Sequence, residues 1–367
     1  MYWADISRLG LKWAYSSPDT FADDGEGTSF TPESIEFARQ YVNSLKAENP
    51  NMIILYEIRF WCAWASYLPE DSPWWMRQNG NKLIGWNGGE EPYYIMDWHN
   101  QDFREQIALQ CKAIADLDFM DGVTLDCFAI DMLGDGNEDA DRVDLVKRIR
   151  DKIGEKLLII NGNTLKRPNF APYINGLYME VYESATANDW QFISDTLRWA
   201  ETTCREPVLN SVEVWSDNNR LDENKMRAVT TLSLTHSDGY CLFADPNTKP
   251  EPDHMHSWYS FWDTDLGQPI AKGWQRPQDE MYQREYSNGT VIYNPIGNGN
   301  QTITFNETRK SAATGIEGTT FTINEYDGDI FTYIEAAPEI VIPTSTMETF
   351  SYPASICNQQ GSQQHSK

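Results

Sequence analysis

Two hydrophobic rhythms alternate along the first 265 positions. Short apolar runs read as buried strands: MIILYEI at 52–58, DGVTLD at 121–126, KLLIING at 156–162, INGLYMEVY at 174–182, PVLNSVEVW at 207–215 and GYCLFADP at 239–246. Helical stripes lie between them: Ile35, Ala38, Val42 and Leu45; Phe103, Ile107, Cys111 and Ile114; Val143, Val146 and Ile149; Trp190, Ile193, Leu197 and Ala200; and the segment 222–236. Thr31-Pro32-Glu33 starts the first helix, with Thr31 as cap and Pro32 in the first turn. With weaker strands near 1–4 and 11–16 the count reaches eight. Strand–helix alternation demands parallel strands, and eight of them close a (β/α)8 TIM barrel. An open doubly wound sheet would carry a Gly-rich phosphate loop after an early strand, and none is present.

The rhythm changes after about 265. REYSNGTVIYNPIGNGNQTITF, 284–305, alternates in period two around Asn288-Gly289, a hairpin signal. The expected organisation is a barrel over 1–265, a small C-terminal antiparallel β-domain over 266–336, and a loosely ordered Pro/Ser/Gln-rich tail over 337–367. Residues 66–92 read as irregular, and a stretch of that length is more often functional than idle.

Three strands deliver an acid near the C-terminal tip: Asp126, Glu180 and Glu213. Barrel enzymes place reacting groups there. Paired carboxylates are the standard machinery of glycosidic cleavage, one donating a proton to the leaving oxygen and the other acting from the far side of the anomeric carbon. The expected roles are Asp126 as nucleophile or base and Glu180 as general acid, its proton affinity raised by burial against Tyr178 or Tyr182. Glu213 rivals Glu180 for the acid. Glu57 and Arg59 form an ion pair beside the site or hold a hydroxyl directly. Asp97, Asn163, Tyr182 and Asp245 extend the candidate substrate-binding set. Trp61, Trp64, Trp86 and Trp215 are candidate stacking platforms. The competing readings are loop capping for Asp126 and Asp245, an Asp126–Arg59 pair, and core packing for each Trp.

Composition sharpens this picture. Fourteen Trp and 13% aromatic residues favour carbohydrate as ligand, since an indole face stacks on a pyranose. A net charge of −26 argues against nucleic acid and anionic membrane surfaces as partners, and salt adaptation would produce the same acidity. The six Cys form no CxxC, and five sit in apolar runs as expected free thiols. The five His are too scattered for a metal hydrolase, so no metal and no cofactor are expected. The acids at 135–141 lack the glycine and closing glutamate of a calcium loop, and no G-x-S-x-G elbow supports a serine hydrolase. No apolar run reaches membrane-spanning length. The opening MYWADI reads as a strand rather than a signal peptide; an exported protein with its leader removed is the expected setting, a cytoplasmic one the alternative.

The run DWHNQDFREQIALQCKAIADLDFMDGVTLDCF, 97–128, resembles the TIM-barrel proteins known as the hypothetical glycosyl hydrolase (GHL) group, and more loosely the polygalactosaminidase-like barrels. The matching positions are Asp97 before a helix, Asp121-Gly122 through Asp126, and Glu180; FWDTDLGQP followed by REYSNGTVIYNP resembles that group's join between barrel and β-domain. The likeness covers about residues 50–310 and implies a reaction class rather than a substrate. The N-terminus is short by comparison, and the resemblance does not place the Trp-rich segment 60–98. The resulting expectation is a glycoside hydrolase acting on a poly- or oligosaccharide. The alternatives are a non-catalytic carbohydrate-binding barrel and a lyase on the same fold. Sugar, linkage and oligomeric state are not set by the sequence.

Overall fold

The computed structural model describes residues 2–4, 9–14, 25–58, 60–85, 92–128, 138–181, 184–215, 222–238, 240–244 and 258–334, with backbone alone at 2–4, 138, 215 and 240–244. The chain forms two compact units, one of residues 1–177 with 203–206 and one of 178–202 with 207 onward.

In the first unit, strand β1 (Tyr2–Ala4) precedes helix α1 (Pro32–Glu48), whose first turn is capped by the Thr31 hydroxyl accepting from the Ser34 N–H. Strand β2 (Ile54–Ile58) leads into a two-stranded excursion, β3 (Cys62–Trp64) with β6 (Tyr93–Ile95), which encloses a second hairpin of β4 (Arg77–Gln78) and β5 (Asn81–Lys82). Asn79 and Gly80 make the inner turn at φ +53° and +84°. The expected irregular stretch therefore holds a short hairpin, and Asn79-Gly80 was its signal. Helix α2 (Gln101–Ala115), capped by Asn100, strand β7 (Gly122–Leu125), helix α3 (Glu138–Ile153) and strand β8 (Leu157–Asn161) follow.

Strands β1, β2, β7 and β8 pair in parallel, in that order. Asp121 sets the start of this sheet. Its carboxylate accepts the Ile54 N–H at 2.7 Å and pairs with Lys46 of α1 at 3.0 Å. Gly122 brings β7 against β8, because a Cβ there would lie 2.2 Å from the Leu157 carbonyl oxygen. Residues 11–14 do not supply the expected parallel strand. Trp13 instead forms an isolated antiparallel bridge with Phe30, their rings stacked at 4.1 Å.

In the second unit, strand β9 (Gly176–Val181, from Tyr178 on), β10 (Ser211–Trp215) and β11 (Tyr240–Ala244) are parallel, with helices α4 (Ala187–Thr203) and α5 (Glu223–His236) between them. The same unit holds six antiparallel strands in the order β12 (Trp274–Gln275), β13 (Tyr282–Tyr286), β14 (Gly289–Asn294), β17 (Asp327–Tyr333), β15 (Gln301–Ser311), β16 (Glu317–Ile323). The hairpin expected at Asn288-Gly289 is present, with its turn one residue earlier, at Ser287-Asn288. Gly289 belongs to β14, where a Cβ would approach the Phe331 carbonyl of β17 to 2.6 Å. The core of this sheet is Met281, Ile292, Ile303, Ile323 and Phe331.

Helix α5 packs on this sheet through polar as well as apolar contacts. Arg227 grips Asp327 with two hydrogen bonds of 2.8 and 2.9 Å, the side chains only 13% and 9% exposed. Removing one partner of such a pair leaves a buried charge behind. Arg227→Ala should therefore cost about 3–5 kcal/mol in chemical denaturation, and a change within experimental error would show that the pair carries no net stability.

His236 lies buried at the end of α5, its Nε2 2.7 Å from Ser194 Oγ and its ring against Tyr282. Burial, with the Arg198 charge nearby, holds its pKa down at about 3. The unfolded chain then binds the extra proton between about 6.5 and 3, so the stability from the neutral ring is full above that window and is lost as pH falls through it. Asp329 acts with the opposite sign. Burial raises its pKa to about 6, so the folded chain keeps a proton that the unfolded chain gives up between about 4 and 6. Asp329→Asn should steepen the fall of the melting temperature between pH 6 and 4, and an unchanged slope would contradict this.

Candidate active site

Register decides which side chains share a face. In the first unit Glu57 of β2 stands opposite Thr124 of β7. Side chains alternate along a strand, so Asp126, two residues after Thr124, continues that face. The other face carries Tyr56, Val123 and Leu158, then Ile58, Leu125 and Ile160, all buried. One face of the sheet is thus apolar, while the other presents Glu57, Thr124 and Asp126 toward the C-terminal ends of the strands.

Asp126 is half-buried just beyond β7. Asn161, at the end of β8, donates from Nδ2 to Asp126 Oδ1 at 2.7 Å, and the Cys127 thiol donates to Oδ2 at 3.3 Å. Behind this turn Phe128 packs between Phe60 and Phe170, ring centroids 5.2 and 5.3 Å away. Trp98 closes the aromatic row against Phe60 at 5.8 Å. These buried rings anchor the segments that follow β2, β7 and β8.

The second unit repeats the pattern. Glu180 of β9 and Glu213 of β10 are register partners on neighbouring parallel strands, 9% and 0% exposed. Their strand neighbours Met179, Val181, Val212 and Val214 are buried and point to the opposite face. Two carboxylates in register on adjacent strands, about 5 Å apart at the backbone, are costly to bury. Proteins accept such costs mainly at functional sites.

Asp97 lies in the turn before α2. Its carboxylate accepts the His99 N–H at 3.1 Å, and burial raises its pKa despite the backbone N–H groups of His99 and Asn100. His99 Nδ1 meets Asp141 Oδ2 at 2.5 Å, and Arg104 pairs with Asp141 and Asp144. Asp141, one of the acids weighed as a calcium loop, is thus engaged by His99 and by the Arg104 charge; 135–137 lie outside the described residues. Among the described residues no group of three or more His, Cys, Asp or Glu is arranged to hold a metal ion.

The candidate stacking residues separate by exposure. Trp61 is 8% exposed and its carbonyl accepts the Met96 N–H, whereas Trp64, three residues on, is 54% exposed. Trp64 is the register partner of Tyr93, and the two rings lie 5.5 Å apart. Asn163 sits half-buried in the turn after β8 with φ +47°. Arg59, Trp86, Tyr182 and Asp245, and the Trp215 side chain, lie outside the described residues. The structure brings Glu180 to Glu213 and surrounds Asp126 with Asn161 and Cys127. Neither Asn161 nor Cys127 stood among the candidate site residues, although Asn161 closes the KLLIING run.

No family model matches the sequence, and no curated protein matches it. Solved structures do match. A noncanonic maltogenic α-amylase, AmyB from Thermotoga neapolitana, aligns over 88% of this chain and 87% of its own, with TM-score 0.52 and 13% identity. An α-amylase from Lactobacillus plantarum aligns over 90% of each chain, with TM-score 0.52 and 11% identity. The chain has the glycosidase-like fold of these proteins, a (β/α)8 barrel with a C-terminal antiparallel β-domain. At this identity the likeness is one of fold.

Proposed function

We propose that the chain is a glycoside hydrolase that cleaves an oligo- or polysaccharide. Asp126 serves as nucleophile or base, and Glu180 as the general acid with Glu213 beside it. The observation that carries this reading is the burial of Glu180 and Glu213 in register on neighbouring strands. Cleavage of a glycosidic bond passes through an oxocarbenium-like transition state. It needs one carboxyl group to protonate the departing oxygen and one carboxylate to meet the positive carbon. The candidate residues are of the right kind and number. The tied Asp126 carboxylate suits the second task. Glu57 and Asp97 extend the polar set, and the exposed Trp64, with half-buried Tyr93 beside it, offers a face for a sugar ring.

The test is a product screen on neutral and sulfated polysaccharides. New reducing ends support the hydrolase. Unsaturated products would replace it with a lyase, and binding to one glycan without products would replace it with a binding module.

A further inference from the structure

The turn that carries Asp126 is built at a conformational cost. Cys127 has φ +51°, in the left-handed region that L residues with a Cβ avoid and glycine enters freely. A turn that only had to change chain direction would gain from glycine here. Strained positions of this kind concentrate at functional sites.

What the cysteine adds is a donor. Its thiol reaches Asp126 Oδ2 at 3.3 Å, while the Asn161 amide reaches Oδ1 at 2.7 Å. The Asn161 main chain takes part too, since its carbonyl accepts the Phe128 N–H at 3.1 Å. Phe128 is fully buried between Phe60 and Phe170, so the far end of the turn is fixed. Each carboxylate oxygen therefore has a donor from its own unit, and the two donors together oppose rotation of the carboxylate.

We propose that Cys127 and Asn161 are positioning residues for the Asp126 carboxylate, each holding one oxygen, with the left-handed backbone at Cys127 retained because it aims the thiol. The inference rests on the reading of Asp126 as the reacting carboxylate. A misplacement of about 1 Å in a reacting group lowers turnover by about 100-fold. The thiol is a weak donor and the amide a stronger one, so their removal should differ in size.

The experiment uses the full chain and the polysaccharide that wild type cleaves in the product screen, with thermal midpoint, kcat and KM measured for four variants. Cys127→Gly relieves the backbone and removes the donor. Its midpoint should rise by about 1–3 °C while kcat falls about three- to tenfold at nearly constant KM. A merely structural role would move stability and activity in the same direction. Cys127→Ser restores a donor and should recover most of the kcat lost in Cys127→Gly. Asn161→Ala should lower kcat by about 10- to 100-fold. Wild-type kcat in both Cys127→Gly and Asn161→Ala, beside an inactive Asp126→Asn, would overturn the positioning role and leave the function standing. Wild-type turnover in Asp126→Asn, or no turnover by wild type on any polysaccharide, would remove the functional reading and the positioning role with it.

Discussion

Asp126→Asn should lower kcat by about 10²–10⁴-fold while leaving the protein folded. Asparagine has the same shape as aspartate. Its amide oxygen can still accept from Asn161, and the Cys127 sulfur can act as a weak acceptor toward the new amide group. Phe128 and its aromatic neighbours are untouched. What disappears is the negative charge and the basic lone pair that meet the anomeric carbon or its attacking water. A normal melting curve beside lost turnover separates this result from unfolding. Turnover within a few-fold of wild type would assign Asp126 to loop capping.

Glu180→Gln has an expected effect of the same size, with a signature of its own. A general acid matters in proportion to how badly the leaving group needs a proton. Hydrolysis of a natural glycoside, whose leaving group is an alkoxide, should fall by about 10²–10⁴-fold. A nitrophenyl glycoside that the wild type accepts should be largely spared, because its phenolate departs unprotonated. The fold should tolerate the change, since glutamine keeps the shape of glutamate beside Glu213. Glu213→Gln is the control. If the leaving-group dependence appears there and not at Glu180, Glu213 is the acid.

The strand–helix order of the barrel was legible because a buried parallel strand writes itself as an unbroken apolar run, and a helix as a stripe at its own period. The segment 11–14 shows where that logic ends. Leu9, Leu11 and Trp13 are all buried at alternate positions. Alternation of this kind suits a barrel strand and an antiparallel bridge to Phe30 equally well, and no local signal names the partner. The motif from Asp121 to Asp126 held three jobs that sequence alone could not separate. Asp121 anchors Ile54 and Lys46, Gly122 permits close approach of β8, and Asp126 stands at the tip.

The candidate site was legible through residue type and strand position. It was not legible where tertiary contacts decide. Trp61 and Trp64 look alike in the sequence, yet one is buried and the other exposed. The link from Asn161 to Asp126 follows from the pairing of Leu125 with Ile160, which only the folded sheet fixes. A left-handed cysteine has no sequence signature, since nothing about the residue type suggests positive φ.

The most direct test of the account is reducing-end release by wild type and by folded Asp126→Asn, side by side on the same panel of polysaccharides. The account predicts new reducing ends on at least one polysaccharide from wild type and none above background from the variant. Equal release by both proteins, or none by either, would contradict it.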